Sequence, residues 1–385
     1  MSKDTILARV LALRDDLAVN LLERDSVVEC AVLALILREH LLMLGPPGTA
    51  KSLLAKAACE RVTGGVFYSH LLTKFTTPDE LFGPLSLSAL EKDKYRRITT
   101  GMLPEAHIAV LDEIWKSNSA VLNSLLSIIL ERRYGEGGQM LPVPLLSLFA
   151  ASNETPEDDS LNALYDRFLL RVIVPPLADD ASLRALFDLQ PQAPAATITL
   201  DELREAQHQV QQVPLTADAV DAIVSIKHGL EEEGIAASDR RWKSCAQLVR
   251  AKAWMESETQ TTSDHADILV HALWAEPSQI RVVERVVNKV ANPLNLEAVE
   301  LEDAAKDLYD QRPAPDHPDL TQALEPLLKQ LGDVHTRLQT RIANVPAKRS
   351  LRARQALGKV ETYHRALSQL ALRSLSKLHM APGAA

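Results

Sequence analysis

The stretch Gly45-Pro46-Pro47-Gly48-Thr49-Ala50-Lys51-Ser52 follows a short apolar run, His40–Leu44, and opens a helical pattern. A buried strand, a glycine-bearing turn and a helix in that order make a phosphate cradle, because loop N–H groups and the helix N-terminus converge on one anion. In that cradle Lys51 meets the β- and γ-phosphate oxygens of a nucleotide and Ser52 offers its hydroxyl to Mg²⁺. The nucleotide-binding stretch therefore runs from Gly45 through Leu53, taking in Pro46, Pro47, Gly48, Thr49 and Ala50. The usual motif has glycine immediately before the lysine, where this chain has Ala50. One added methyl group is expected to leave the loop intact.

Working outward, four more apolar runs alternate with helical patterns: Val66–His70, Ile108–Asp112, Leu146–Ala151 and Phe168–Val174. Such alternation predicts a five-stranded parallel sheet covered by helices on both faces, with binding chemistry at the strands' C-terminal edge. Ile108–Asp112 ends in Asp112-Glu113, and two carboxylates on a buried strand are costly unless they serve a metal, a water or another partner. Asp112 is placed to hold Mg²⁺ through its water shell, and Glu113 to polarise an attacking water. The next run delivers Asn153, whose amide can orient water against the γ-phosphate. Asp166-Arg167-Phe168 precedes the fifth strand, where Arg167 projects towards a neighbouring subunit's γ-phosphate.

Beyond Pro175-Pro176 the strand signals stop, and helical periodicity over Leu215–Glu233 and Ser238–Met255 reads as an all-helical domain. Ser238 caps a helix carrying Arg240 and Arg241, either of which reaches back to the phosphates across the domain cleft; Arg240 is taken as the first choice. Leu320, Leu324, Leu327, Leu331, Val334, Leu338 and Ile342 recur in steps of four and three, a coiled-coil-like seam. A break at Asn344–Val345–Pro346 and a second amphipathic run to about Leu378 predict a helical hairpin, joined by a helix near Gln279–Val290 into a three-helix bundle. Between Leu85 and Gly101 the pattern reads as an inserted β-hairpin with an exposed turn.

The net charge of -9 argues against a general nucleic-acid coat, which needs a positive field. Cys30, Cys59 and Cys245 are too scattered for a metal site or a disulfide framework. The charges within the first apolar stretch spoil a signal peptide, and no segment is apolar for long enough to span a membrane, so a soluble cytoplasmic protein is expected.

Taken together, these residues resemble the AAA+ superfamily, and within it the MoxR family, most nearly its RavA branch. The resemblance rests on GPPGTAKS, FTTPDELFGPL at Phe75–Leu85, LDEIWKSNSAVLNSLLSIILERRY at Leu111–Tyr134, then ASNE, ALYDRFLLRV and SDRRWK in order, and covers roughly residues 5–275. It implies a nucleotide-binding αβα domain over 1–190, an all-α lid over 191–275 and, beyond the family motifs, a helical bundle over 276–385. It further implies ATP and Mg²⁺ as cofactors, a homohexameric ring, and hydrolysis coupled to remodelling, activating or loading a cofactor or metal into a client protein. A partner with a von Willebrand factor A domain is expected as well. The 85–101 insert would face the ring's pore, with Tyr95, Arg96 and Arg97 touching a client. RavA proteins carry a β-rich domain inserted in their bundle, for which this chain shows no signal. A different reading, a nucleic-acid motor, draws on Lys348, Arg349, Arg352, Arg354 and Lys359 on the last hairpin.

Overall fold

The computed structural model describes residues 3–156, 161–190, 192–314, 317, 319–343, 345 and 350–379. The chain divides into two units, Met1–Ile280 and Arg281–Ala385.

The first unit is built on five strands: β1 (Leu41–Leu44), β2 (Phe67–Leu71), β3 (Ile108–Asp112), β4 (Ser147–Ser152) and β5 (Leu170–Ile173). They lie in the order β2-β3-β4-β1-β5, every neighbouring pair parallel. β1 and β4 are buried throughout, which is why they read as continuous apolar runs rather than as alternating ones. The parallel register aligns Leu44 with Ser152 and with Ile173, and Leu71 with Asp112, so the strands deliver their polar successors to one edge. Because β1 lies between β4 and β5 while the chain runs on to β2 at the far side, the turn after β1 opens at a switch of direction, where ligands bind in such sheets.

Helices Lys3–Val19, Asp25–Leu37, Lys51–Glu60 and Ser119–Glu131 accompany the sheet, and the apolar stretch from Ala31 to Ile36 within the second of them is buried throughout. The helical region that follows contains Leu200–Gln212, Ala217–Glu232 and Asp239–Met255, with a 3₁₀ segment over Ser263–His271. Each of its three helices starts at a side-chain cap, on Thr199, Thr216 and Ser238.

The 85–101 segment is not the β-hairpin that the sequence predicts. The 85–101 excursion is tied at its base by one bridge, Leu85 to Arg97, and carries the short helix Leu87–Leu90. The regular two-stranded hairpin is instead Arg133–Glu136 with Gln139–Pro142, turning at Gly137-Gly138, just past the helix motif that ends at Tyr134. Of the excursion's three named residues, Tyr95 and Arg96 are exposed, whereas Arg97 bonds inward to Asp79 and to the Gly83 carbonyl at 2.6 Å.

In the second unit, helices Pro293–Asp310, Leu320–Ile342 and Leu351–His379 share one apolar core. Leu320, Leu324, Leu331, Leu338 and Ile342 of the seam are buried, with Leu327 and Val334 packed at its margin. The bundle's third member is Pro293–Asp310, not the helix near Gln279–Val290: Asn292 caps a new helix with Pro293 in its first turn, and Ala298 and Ala305 face the core. Of the basic cluster, Lys359 Nζ bonds Glu302 at 2.6 Å and Arg354 Nε bonds Ser350 at 2.9 Å. Lys348, Arg349, Asn344 and Pro346 lie outside the described residues, as does the side chain of Arg352. No helix among the described residues is long and apolar enough to cross a membrane.

Candidate functional site

The loop after β1 is fixed at both ends. Gly45 N–H donates to the Ser152 carbonyl at 3.0 Å. A Cβ on Gly45 would stand 2.2 Å from the Val174 carbonyl oxygen, so only glycine lets the exit of β1 pass the chain leaving β5. Gly48 has room around it but a φ of 80°, a left-handed conformation that disfavours any side chain. Ala50 is left-handed too, at φ 67°, and is the N-cap of Lys51–Glu60. The substitution in the motif thus falls where a Cβ costs about 1 kcal/mol.

Lys51 is only 8% exposed, and its Nζ donates to the carbonyls of Gly45 at 2.7 Å and Pro46 at 2.8 Å. Burial lowers its pKa, against the opposing pull of the Asp112 and Glu113 carboxylates. The ammonium is thus held against the loop's own carbonyls, where a polyphosphate supplies stronger partners. Thr49 Oγ1 closes the loop on Pro46 O at 2.9 Å, and Leu53 faces outward.

The Ser52 hydroxyl donates to Asp112 Oδ2 at 3.0 Å, bringing an oxygen from the helix after β1 against one from the end of β3. Asp112 Oδ1 in turn accepts the Glu113 N–H at 3.0 Å. A hydroxyl and a carboxylate oxygen brought together beside the phosphate loop are the hard oxygen donors that would hold a Mg²⁺, directly or through its water shell. Among the described residues no group of three His, Cys, Asp or Glu side chains forms a closed metal site. Glu113 takes a left-handed backbone, φ 53°, and its Oε2 lies 3.1 Å from Lys116 Nζ. Asn153, exposed, directly follows the Ser152 that anchors Gly45.

Arg167 lies at the other end of the strands. It precedes β5, whereas the phosphate loop abuts Val174 beyond it, and a four-residue strand spans about 13 Å. Arg167 lines a cavity of about 230 Å³ with Arg38, Arg132, Arg240, Arg241 and Glu39. Its Nε is buried without a hydrogen-bond partner, and burial together with the nearby Arg240 charge lowers its pKa. Burial raises the Glu39 carboxyl, partly offset by the Ser244 hydroxyl bonded to it at 3.1 Å.

The sequence reading sent Arg240 or Arg241 to the phosphates of the chain's own loop; the structure puts both against Asp166 instead. Arg241 Nε bonds Asp166 Oδ1 at 3.0 Å, and its remaining donors reach the carbonyls of Leu169, Ala272, Asp166 and Phe168 at 2.6 to 3.1 Å. All five of its N–H groups are used, so Arg241 is a structural pin. Arg240 bonds the other Asp166 oxygen and keeps its side chain 48% exposed, which leaves it the arginine able to reach outward. Burial raises the Asp166 carboxyl, but the two guanidiniums outweigh it and hold the pKa below the ordinary value. The sequence signal for Asp166 is an acid beside Arg167 together with two arginines at a later helix start, Arg240 and Arg241.

A strand-loop-helix cradle, a Ser–Asp oxygen pair across two strands and an arginine rim at the opposite edge occur together in this chain. Residues 8–210 match the family described as the MoxR domain in the MoxR-vWA-beta-propeller ternary systems. The chain belongs to the MoxR family of AAA+ proteins. Residues 218–287 match an AAA lid domain. An uncharacterised protein of Methanocaldococcus jannaschii is 39% identical over 282 residues, 73% of this chain and 75% of its own. A chaperone, MoxR1 of Mycobacterium tuberculosis, is 29% identical over 156 residues, 39% of this MoxR-family chain and 40% of its own. A crystal structure of a protein from Cytophaga hutchinsonii, described as an ATPase, shares the AAA+ fold with a TM-score of 0.62 at 15% identity, over 75% of this chain and 96% of that one.

Proposed function

We propose that this MoxR protein is a ring-forming, Mg²⁺-dependent ATPase whose active site is completed by a second subunit, and that hydrolysis remodels or activates a client protein. The observation that carries the reading is the separation of Arg167 from Lys51 by the length of a strand. An arginine at that edge serves a nucleotide held by another copy.

In this reading Lys51 and the loop N–H groups from Gly48 to Ser52 bind the β- and γ-phosphates, while Ser52 and Asp112 hold Mg²⁺. The bound cation supplies charge neutralisation on the phosphate oxygens. Glu113, released from Lys116, accepts a proton from water aligned with the help of Asn153. Arg167, with Arg240 beside it, stabilises charge on the neighbour's γ-phosphate. Asp166, bonded to both lid arginines, ties that action to the helical region, so hydrolysis shifts the lid.

The finer expectations stay within this proposal: a homohexamer, a RavA-like place in the family, a cytoplasmic setting, and domains over 1–190, 191–275 and 276–385. The description of the matching family names vWA proteins, which supports a von Willebrand factor A partner. The engagement of Arg354 and Lys359 inside the bundle unit gives the nucleic-acid motor less support.

The test mixes two inactive proteins. Arg167→Ala has an intact loop but no arginine to give, and Glu113→Gln binds nucleotide and retains Arg167. ATP hydrolysis restored on mixing supports a shared site. Hydrolysis by wild type that is independent of protein concentration and of Arg167 removes it.

A further inference from the structure

We propose that the apolar face of the helix Asp180–Asp188 is a docking surface for a second copy of this chain, which seats its arginine rim there. The inference rests on the shared-site reading above and names the contact that assembles it.

The helix, DASLRALFD, buries none of its residues. Leu183, Leu186 and Phe187 share one face at helical spacing and are 45%, 44% and 76% exposed. A covered partner is the ordinary fate of such a face.

The helix is also firmly placed. The Glu23 carboxylate accepts the N–H groups of Ala178 at 2.9 Å and Asp179 at 3.0 Å, and Asp179 caps the helix by accepting from Ser182 N–H at 3.2 Å. The adjacent Arg24 bonds the Pro175 carbonyl and lines a small cavity with Thr49, Ala50 and Lys51. The tether of the helix therefore stands beside the phosphate loop.

Position and charge together select the occupant. A subunit that brings Arg167 to this loop must bring the surrounding rim to the same edge. That rim exposes Arg38 and Arg240 and carries Leu130, 37% exposed, on the wall of the cavity. The helix offers Asp179, Asp180 and Asp188 against the single cation Arg184. An acidic margin around an apolar face meets a basic margin around an apolar side chain, in a head-to-tail contact that closes into a ring.

The experiment uses the full chain with ATP and the Glu113→Gln background, so that nucleotide persists. Sedimentation velocity follows assembly against concentration for this protein and for the same protein carrying Leu186→Asp and Phe187→Asp, while a fluorescent ATP analogue measures binding to dilute subunits. The expected result is a rise of roughly tenfold or more in the concentration needed for assembly, with nucleotide affinity unchanged. Phe187→Cys and Leu130→Cys proteins, mixed and treated with a short bis-maleimide, should yield a linked dimer; the native cysteines Cys30, Cys59 and Cys245 are all buried.

Unchanged assembly of the double variant overturns the inference, even if stimulation by a von Willebrand factor A protein is lost. So does a tenfold loss of nucleotide affinity in dilute subunits, which would make the helix a cover for the chain's own nucleotide. No linked dimer, although the mixture assembles, rejects the rim as occupant. If the parent protein itself never assembles with ATP, the shared-site reading fails first, a result distinct from these.

Discussion

Ser52 and Asp112, 60 positions apart, meet through a 3.0 Å hydrogen bond across the floor of the phosphate loop. The contact exists because β1 and β3 are parallel and flank β4, so the helix after one strand and the carboxylate ending the other reach the same edge. Removing either oxygen weakens the hold on Mg²⁺ while leaving the hydrogen bonds of Lys51 to the loop carbonyls in place. Ser52→Ala and Asp112→Asn should each slow hydrolysis by roughly 100-fold while retaining nucleotide binding. Chelation of the metal by EDTA should abolish wild-type turnover. Turnover that survives EDTA would show that this pair does not serve a cation.

Arg240 and Arg241 are adjacent and should behave oppositely. Losing Arg241 leaves the half-buried Asp166 with Arg240 as its remaining ion-pair partner and strands several carbonyls, so Arg241→Ala should cost about 3 kcal/mol of stability, read by urea denaturation. Arg240→Ala removes a half-exposed pairing and should cost under about 1 kcal/mol. Its effect should instead fall on hydrolysis, at least roughly tenfold at saturating ATP. Equal loss of stability in the two variants would contradict this division.

Ala50 is the one residue of the loop whose identity conflicts with its backbone, at φ 67°. Ala50→Gly should relieve about 1 kcal/mol of strain and raise the melting temperature by a few degrees. A fall in melting temperature would mean that the methyl group contributes packing that outweighs the strain.

A buried charge cluster links the helices Asp25–Leu37 and Asp239–Met255 to the 3₁₀ segment Ser263–His271. Lys252 Nζ stands 2.7 Å from Glu29 and 3.1 Å from Glu256. Burial pushes the Asp267 carboxyl up to about 7, Lys252 opposing the shift and Glu29 and Glu256 adding to it. A raised folded-state pKa gives stability that is full below the unfolded value of 3.8 and is lost as pH rises through about 7. Burial holds His271 at about 4, which works in the opposite sense: its contribution is present above 6.5 and lost as pH falls towards 4. The comparison must therefore be with Asp267→Asn. Relative to that variant, wild type should lose about 4 kcal/mol between pH 4 and pH 8, the roughly three units between 3.8 and about 7 at about 1.4 kcal/mol each. A difference between the two that does not change with pH would place the Asp267 carboxyl outside this account.

The sequence by itself determined the sheet and the phosphate loop. Both are local in their causes: buried parallel strands need unbroken apolar runs, and a phosphate cradle needs glycine at Gly45 and Gly48 with Lys51 and Ser52 in the first helical turn. The seam from Leu320 to Ile342 was legible for the same reason, since helical spacing is written along one segment. The hairpin over 133–142 was hidden because its strands are short, largely exposed and follow a helix motif without a break. The helix Pro293–Asp310 was signalled by Asn292 and Pro293, but its small core residues, Ala298 and Ala305, make a weak apolar stripe. What only the tertiary structure decided is which arginine does what. Arg240 and Arg241 share a composition, a helix and a sequence context, and they separate only when folding packs Asp166 and four carbonyls around one of them and leaves the other at the surface.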